Sequence, residues 1–204
     1  MKADKAIKQL KELERLGGVK KMRLAAEGWG SEWQTLVAIL MSARTRDETT
    51  IRVAEKLFAK YPTVLALGQA RYSDVRKIIY PVNFFHNKTK YVIDCAVMLV
   101  REYGGKSPHD HGKLILLPGV GRKTANVFLS EYGADAIGVD THVAYISKKL
   151  GWTKHKDPHK IEKDLERLFP RNYWRIINRT LVRFGKTYQS RKKKDEILDR
   201  ISKD

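Results

Sequence analysis

The sequence predicts an all-α protein, and three observations carry that prediction. Apolar residues recur at spacings of three and four along almost the whole chain. No segment sustains a period of two, and no Asn-Gly or Asp-Gly pair offers a turn between strands. The periodic segments are punctuated by glycine, proline and capping aspartate, the residues that end and begin helices. Together these predict about ten helices.

Each element has its own warrant. Ile7, Leu10, Leu13 and Leu16 mark a first helix that Gly17-Gly18 should stop. Trp33, Leu36, Val37 and Leu40 form the apolar stripe of a second. Asp47 offers an N-cap for a third, which buries Ile51, Ala54, Leu57 and Phe58 and ends at Tyr61-Pro62. Ser73 can cap a short helix through Ile79 that Pro81 breaks. Asn87 precedes a long helix with Tyr91, Val92, Cys95, Met98 and Leu99, closed by Gly104-Gly105. Residues 114–117 read as a short helix entering Pro118-Gly119-Val120-Gly121, and a further helix runs from Arg122 to Tyr132. Asp140 opens a helix with Val143, Ile146 and Leu150. Asp157-Pro158 is a cap followed by a first-turn proline, and Trp174, Ile177, Leu181 and Phe184 form the last clear core helix. The run Arg191-Lys192-Lys193-Lys194 reads equally as a frayed helix end or as a contact to a nucleic-acid backbone.

Charge narrows the function. The 204 residues carry 41 Lys+Arg against 23 Asp+Glu, a formal net charge of +18. With 42% hydrophobic residues the chain is too apolar for a disordered basic tail, so a folded protein with a polyanionic partner is expected. Nucleic acid is the first such partner, and an anionic membrane surface the second. No apolar run approaches the about 18 residues that span a bilayer. The Lys-rich N-terminus lacks the apolar core of a signal peptide. A single cysteine, Cys95, excludes a disulfide framework and a Cys-rich metal site. These features predict a soluble cytoplasmic protein.

Two stretches carry chemistry. Pro118-Gly119-Val120-Gly121 between helices, followed by Arg122-Lys123-Thr124, is a helix-hairpin-helix. Its glycines allow backbone angles other residues resist and a close approach to a ligand. Its outward N–H groups suit phosphate. Gly119, Val120, Gly121, Arg122 and Thr124 are therefore candidate DNA-backbone contacts. In Val139-Asp140-Thr141-His142, Asp140 alone reads as a helix cap.

Residues 117–127 and 139–142 together resemble the signature of the endonuclease III family of base-excision DNA glycosylases, within the helix-hairpin-helix superfamily. Residues 36–47 and 82–88 are similar to two further loops of that family, and the resemblance spans residues 33–184. It implies two helical modules flanking a DNA-binding cleft. A six-helix barrel would take residues 29–135, and a second module residues 1–28 with 136–204. It also implies a bifunctional enzyme acting as a monomer on double-stranded DNA with damaged bases or abasic sites. Lys123 would be the amine nucleophile and Asp140 an ionised carboxylate assisting it. The damaged nucleotide must leave the duplex for this chemistry. Phe84 would then wedge into the stack, or else pack in the core beside Phe85; Arg44 would bond the orphaned base, and His142 would have a structural or phosphate-contacting role.

The sequence departs from the family in three places. Arg44 stands where Gln is usual and Asn83 where Gly is usual. After Gly185, where the family carries four cysteine ligands of an iron–sulfur cluster, residues 186–192 hold none, so neither a cluster nor any other metal is expected. His109 and His111 read as surface-loop residues. The expected activity is removal of oxidised pyrimidines with strand nicking by β-elimination. Alternatives are an 8-oxoguanine or mismatch uracil/thymine glycosylase of the same superfamily, or a non-enzymatic helix-hairpin-helix DNA-binding protein.

Overall fold

A computed structural model describes residues 2–18 and 22–203. Among the described residues all regular structure is helical, with twelve α-helices, one 3-10 turn and no strand. The chain divides into two compact units, Arg23–Glu131 and Met1–Met22 with Tyr132–Asp204. The sequence reading divides it at 28/29 and 135/136. Residues 23–28 go with the central unit because Arg23 pairs with Glu55 at 2.9 Å and lies 4.2 Å from the Trp29 ring.

Helix α1 (Ala3–Gly17) buries Ala6, Leu10, Leu13 and Leu16. The helix ends at Gly17-Gly18 as expected, but without a left-handed cap, since Gly18 keeps an ordinary φ of −75°. Gly17 also permits close packing, since a Cβ there would sit 2.8 Å from the backbone nitrogen of Phe184.

The central unit holds α2 (Glu32–Ser42), α3 (Asp47–Lys60), α4 (Val64–Gly68), α5 (Tyr72–Ile79), α6 (Phe85–Tyr103), α7 (His111–Leu114) and α8 (Arg122–Glu131). The expected stripe on α2 is in fact a helix buried all round. Every residue from Thr35 to Met41 is covered by α3, α6 and α8. A helix that is apolar on all faces is the centre of a bundle. Two predicted caps are displaced by one position or more. Arg46, not Asp47, precedes α3, and Arg71, not Ser73, precedes α5. Both polar residues sit inside the first turn, where an acid or a hydroxyl is also favoured. The short helix before the hairpin is α7, earlier than the expected 114–117. Asp110 caps it by accepting the Lys113 N–H at 2.8 Å, and Leu116 lies exposed in the following turn.

The terminal unit adds α9 (Thr141–Lys149), α10 (Pro158–Leu168), a 3-10 turn (Arg171–Tyr173), α11 (Trp174–Thr187) and α12 (Arg191–Lys203). Helix α11 packs against α1 and α9. The basic run is not a frayed end. It begins α12, whose Leu198 and Ile201 are buried and whose Ile201 carbonyl accepts from Gln9 Nε2 at 3.1 Å.

Candidate nucleic-acid interface

The hairpin is built by one constrained glycine and one unconstrained one. Gly119 has φ +77°, and a Cβ there would lie 2.6 Å from the Cβ of Tyr91, an atom that cannot swing aside. Only glycine fits. Gly121 differs from the expectation, because its φ is not positive and a Cβ would meet nothing within 4 Å. No neighbouring atom within the protein requires glycine there.

The two apolar or hydroxylic candidates contribute less directly than expected. Val120 and Thr124 have buried side chains, and the Val120 N–H already donates to the Leu117 carbonyl at 3.0 Å. The exposed surface of the hairpin is made by Gly119, Gly121 and Arg122. Lys123 is the second residue of α8, half-buried, in the first turn. A helix start leaves its first N–H groups without intrahelical acceptors and carries partial positive charge, the combination that holds phosphate.

Arg44 and Phe84 occupy two further tips of the central unit. Both are exposed, and both have left-handed backbones, with φ +55° and +60°. They are the only non-glycine residues among those described with positive φ. Such backbones cost about 1–2 kcal/mol each and persist only when the surroundings impose them. The Arg44 guanidinium lies 5.3 Å from the centre of the Phe84 ring. Phe84 is 56% exposed, which removes the possibility that it packs in the core beside Phe85.

In the terminal unit, Asp140 caps α9. Its Oδ1 accepts the Val143 N–H at 2.9 Å, which fixes the orientation of the carboxylate. Asp140 and the preceding strandless segment are anchored by Asn178, whose Nδ2 donates to the Gly138 carbonyl at 2.7 Å. His142 packs on α11. A Cβ at Gly185 would sit 2.2 Å from its Nδ1, so glycine at 185 makes room for this ring.

The residues do not fit a cubane iron–sulfur cluster. Such a cluster takes four thiolates, and the only cysteine is Cys95, buried within α6. Burial pushes its thiol up to about 12. Among the described residues no three His, Cys, Asp or Glu side chains converge to hold a metal ion. His109 instead pairs with Glu32 at 2.9 Å and meets the Phe128 ring edge-on.

Lys88 is a buried charged residue of this region that sequence reading missed. It is 6% exposed, and its Nζ donates to the carbonyls of Met41 at 2.6 Å and Ala43 at 2.5 Å and to Thr45 Oγ1 at 3.1 Å. Desolvation lowers its ammonium to about 8. A signal was available, because Lys88 stands in helical register with the buried Val92, Cys95 and Leu99.

Fold and site define a helix-hairpin-helix nucleic-acid-binding protein. A family model described as "HhH-GPD superfamily base excision DNA repair protein" matches residues 37–171. Endonuclease III of Thermotoga maritima is 38% identical over 155 residues, 76% of this chain and 73% of that protein. Endonuclease III of Bacillus subtilis is 36% identical over 156 residues, 76% of this chain and 71% of that protein. A solved structure of a trapped endonuclease III–DNA covalent intermediate superposes with a TM-score of 0.84 at 30% identity, covering 93% of this chain and 89% of that one. The chain belongs to the HhH-GPD superfamily of base excision DNA repair proteins. It is a DNA glycosylase with DNA as its partner. Among the described residues no helix is long and apolar enough to cross a membrane.

Proposed function

We propose that the protein excises oxidised pyrimidines from duplex DNA and nicks the strand at the resulting site, with Lys123 as nucleophile and Asp140 as its carboxylate partner. The observation that carries this reading is the position of Lys123. It stands two residues after Gly121 in the first turn of α8, so the element proposed to grip a DNA backbone also carries a primary amine. Attack requires the neutral amine. Endonuclease III relatives form covalent intermediates with DNA, as the trapped complex shows for one of them.

Lys123 Nζ attacks C1′ of the flipped nucleotide. The glycosidic C–N bond breaks, and the base leaves with the bond electrons and takes up a proton. The nitrogen loses a proton, its lone pair then breaks the C1′–O4′ bond, and O4′ takes up a proton, leaving a protonated Schiff base. Removal of a C2′ proton then expels the 3′ phosphate, and water releases the lysine. The capped carboxylate of Asp140 stabilises positive charge developing on the sugar. No cluster enters this scheme, and the protein works with cellular DNA in the cytoplasm.

Borohydride reduction on abasic-site DNA tests the nucleophile. The expected outcome is a covalent adduct in the wild type and none in Lys123→Ala. An adduct surviving that substitution rejects the assignment. Asp140→Asn keeps a cap acceptor for Val143 and should bind DNA normally while turnover falls by about a hundredfold or more. Duplexes carrying thymine glycol, 8-oxoguanine or uracil test the substrate class, with thymine glycol expected to be cut fastest.

A further inference from the structure

We propose that Lys88 is a positioning residue for base extrusion: its ammonium locks the loop after α2 and the turn before α6 into one rigid element that presents Arg44 and Phe84 to the duplex. The proposal rests on the reading that these two side chains enter the DNA stack.

Five hydrogen bonds join the two segments, which lie about forty residues apart in sequence. Three come from Lys88 Nζ, to Met41 O, Ala43 O and Thr45 Oγ1. Two come from Asn83, whose Nδ2 donates to the Arg44 carbonyl at 2.5 Å and whose backbone N–H donates to Thr45 Oγ1 at 3.2 Å. An ammonium has three protons to donate, and all three find acceptors. Two of those acceptors are carbonyls at the C-terminal end of α2, where partial negative charge favours a cation. The Lys88 backbone N–H also donates to the Phe84 carbonyl at 3.1 Å, closing the first turn of α6. The Lys88 side chain therefore ties the residues flanking Arg44 to the helix that starts after Phe84.

An apolar side chain of similar length would fill the same space but leave the Met41 and Ala43 carbonyls without this donor. What the ammonium adds is fixed geometry in the Arg44 loop. A wedge that enters DNA gains by being rigid beforehand, because ordering it during extrusion would subtract from the energy available to unstack bases.

The experiment compares Lys88→Met, Phe84→Ala, Arg44→Ala and the Lys88→Met/Phe84→Ala double variant. Readouts are single-turnover base excision from duplex DNA, fluorescence of a 2-aminopurine beside the lesion, and borohydride trapping on a single-stranded abasic oligonucleotide. The expected result for Lys88→Met is at least a tenfold loss on duplex, a slowed 2-aminopurine signal and unchanged trapping on the single strand. The double variant should be no worse than the worse single, since Lys88 acts through the wedge. Thr45→Val, which removes an acceptor shared by Lys88 and Asn83, should give a smaller loss of the same kind and serves if Lys88→Met does not fold. Normal duplex excision in both Phe84→Ala and Arg44→Ala overturns the wedge reading itself. Impaired wedge variants beside a normal Lys88→Met, a Lys88→Met defect equal on single and double strands, or strict additivity overturn the role of Lys88.

Discussion

The hairpin and the proposed wedge both place left-handed backbone at an exposed tip, and they are built oppositely. The hairpin uses glycine. Gly119 takes its left-handed angle at little cost, and Gly121 leaves open space beside its Cα. The wedge uses Arg44 and Phe84, which resist the same angle and are held there by Lys88 and Asn83. A glycine turn offers only its main chain. A wedge must carry a side chain at the tip, so the strain has to be offset by bonds from elsewhere in the unit. The comparison shows where each element is vulnerable. The hairpin fails by steric intrusion, the wedge by loss of a remote donor.

Four substitutions can break or sharpen this contrast. Gly119→Ala should be the most damaging, because it adds a contact at 2.6 Å from Tyr91 Cβ and a left-handed penalty. The expected destabilisation is about 2–4 kcal/mol, read as a thermal midpoint lowered by about 5–12 °C. A midpoint unchanged within about 1 °C would refute the steric account. Gly121→Ala should leave stability within about 0.5 kcal/mol and weaken binding to an abasic-site duplex about tenfold. Equal affinity in a fluorescence-anisotropy titration would mean that no ligand approaches this Cα.

Phe84→Gly should raise stability by about 0.5–1 kcal/mol in urea unfolding while lowering duplex excision, because it relieves the backbone and removes the ring together. Stability lost instead would show that the ring, not the strain, dominates.

The smallest effect concerns pH. Burial lowers Lys88 to about 8 from 10.5, so between those values the unfolded chain binds more protons than the folded one. Stability attributable to this group therefore rises with pH across that window, and the burial penalty is fully present below it. The midpoint of the wild type minus that of Lys88→Met should climb on going from neutral pH to about pH 10. A flat difference would mean that the three acceptors cancel the desolvation.

The same contrast explains what the sequence makes legible. The hairpin information is local, confined to Pro118 through Thr124, and so are the caps Asp140 and Asp157, each accepting the N–H three residues on at 2.9 Å. The wedge depends on Lys88 and Asn83 reaching back some forty residues, which no local pattern states. Asn83 was recognisable only as a departure from the family, and the structure gives that departure a task in bonding the Arg44 carbonyl. Helix α2 was misread because complete burial erases the polar face that periodicity relies on. The basic run at 191–194 was read without α12, whose buried Leu198 and Ile201 come later in the chain. Removing everything after Ser190 would thus unpack a core. Charge reversal at the exposed Lys192 is the cleaner probe of DNA contact, with an expected loss of salt dependence of about one counterion.

Cys95 is fully enclosed by α6 and its neighbours, and its thiol is pushed up to about 12. Peroxides and alkylating agents attack the thiolate, not the thiol. At neutral pH the one sulfhydryl of this chain is both shielded and protonated, so it offers such reagents no foothold. Inactivation by such reagents through this thiol is therefore closed.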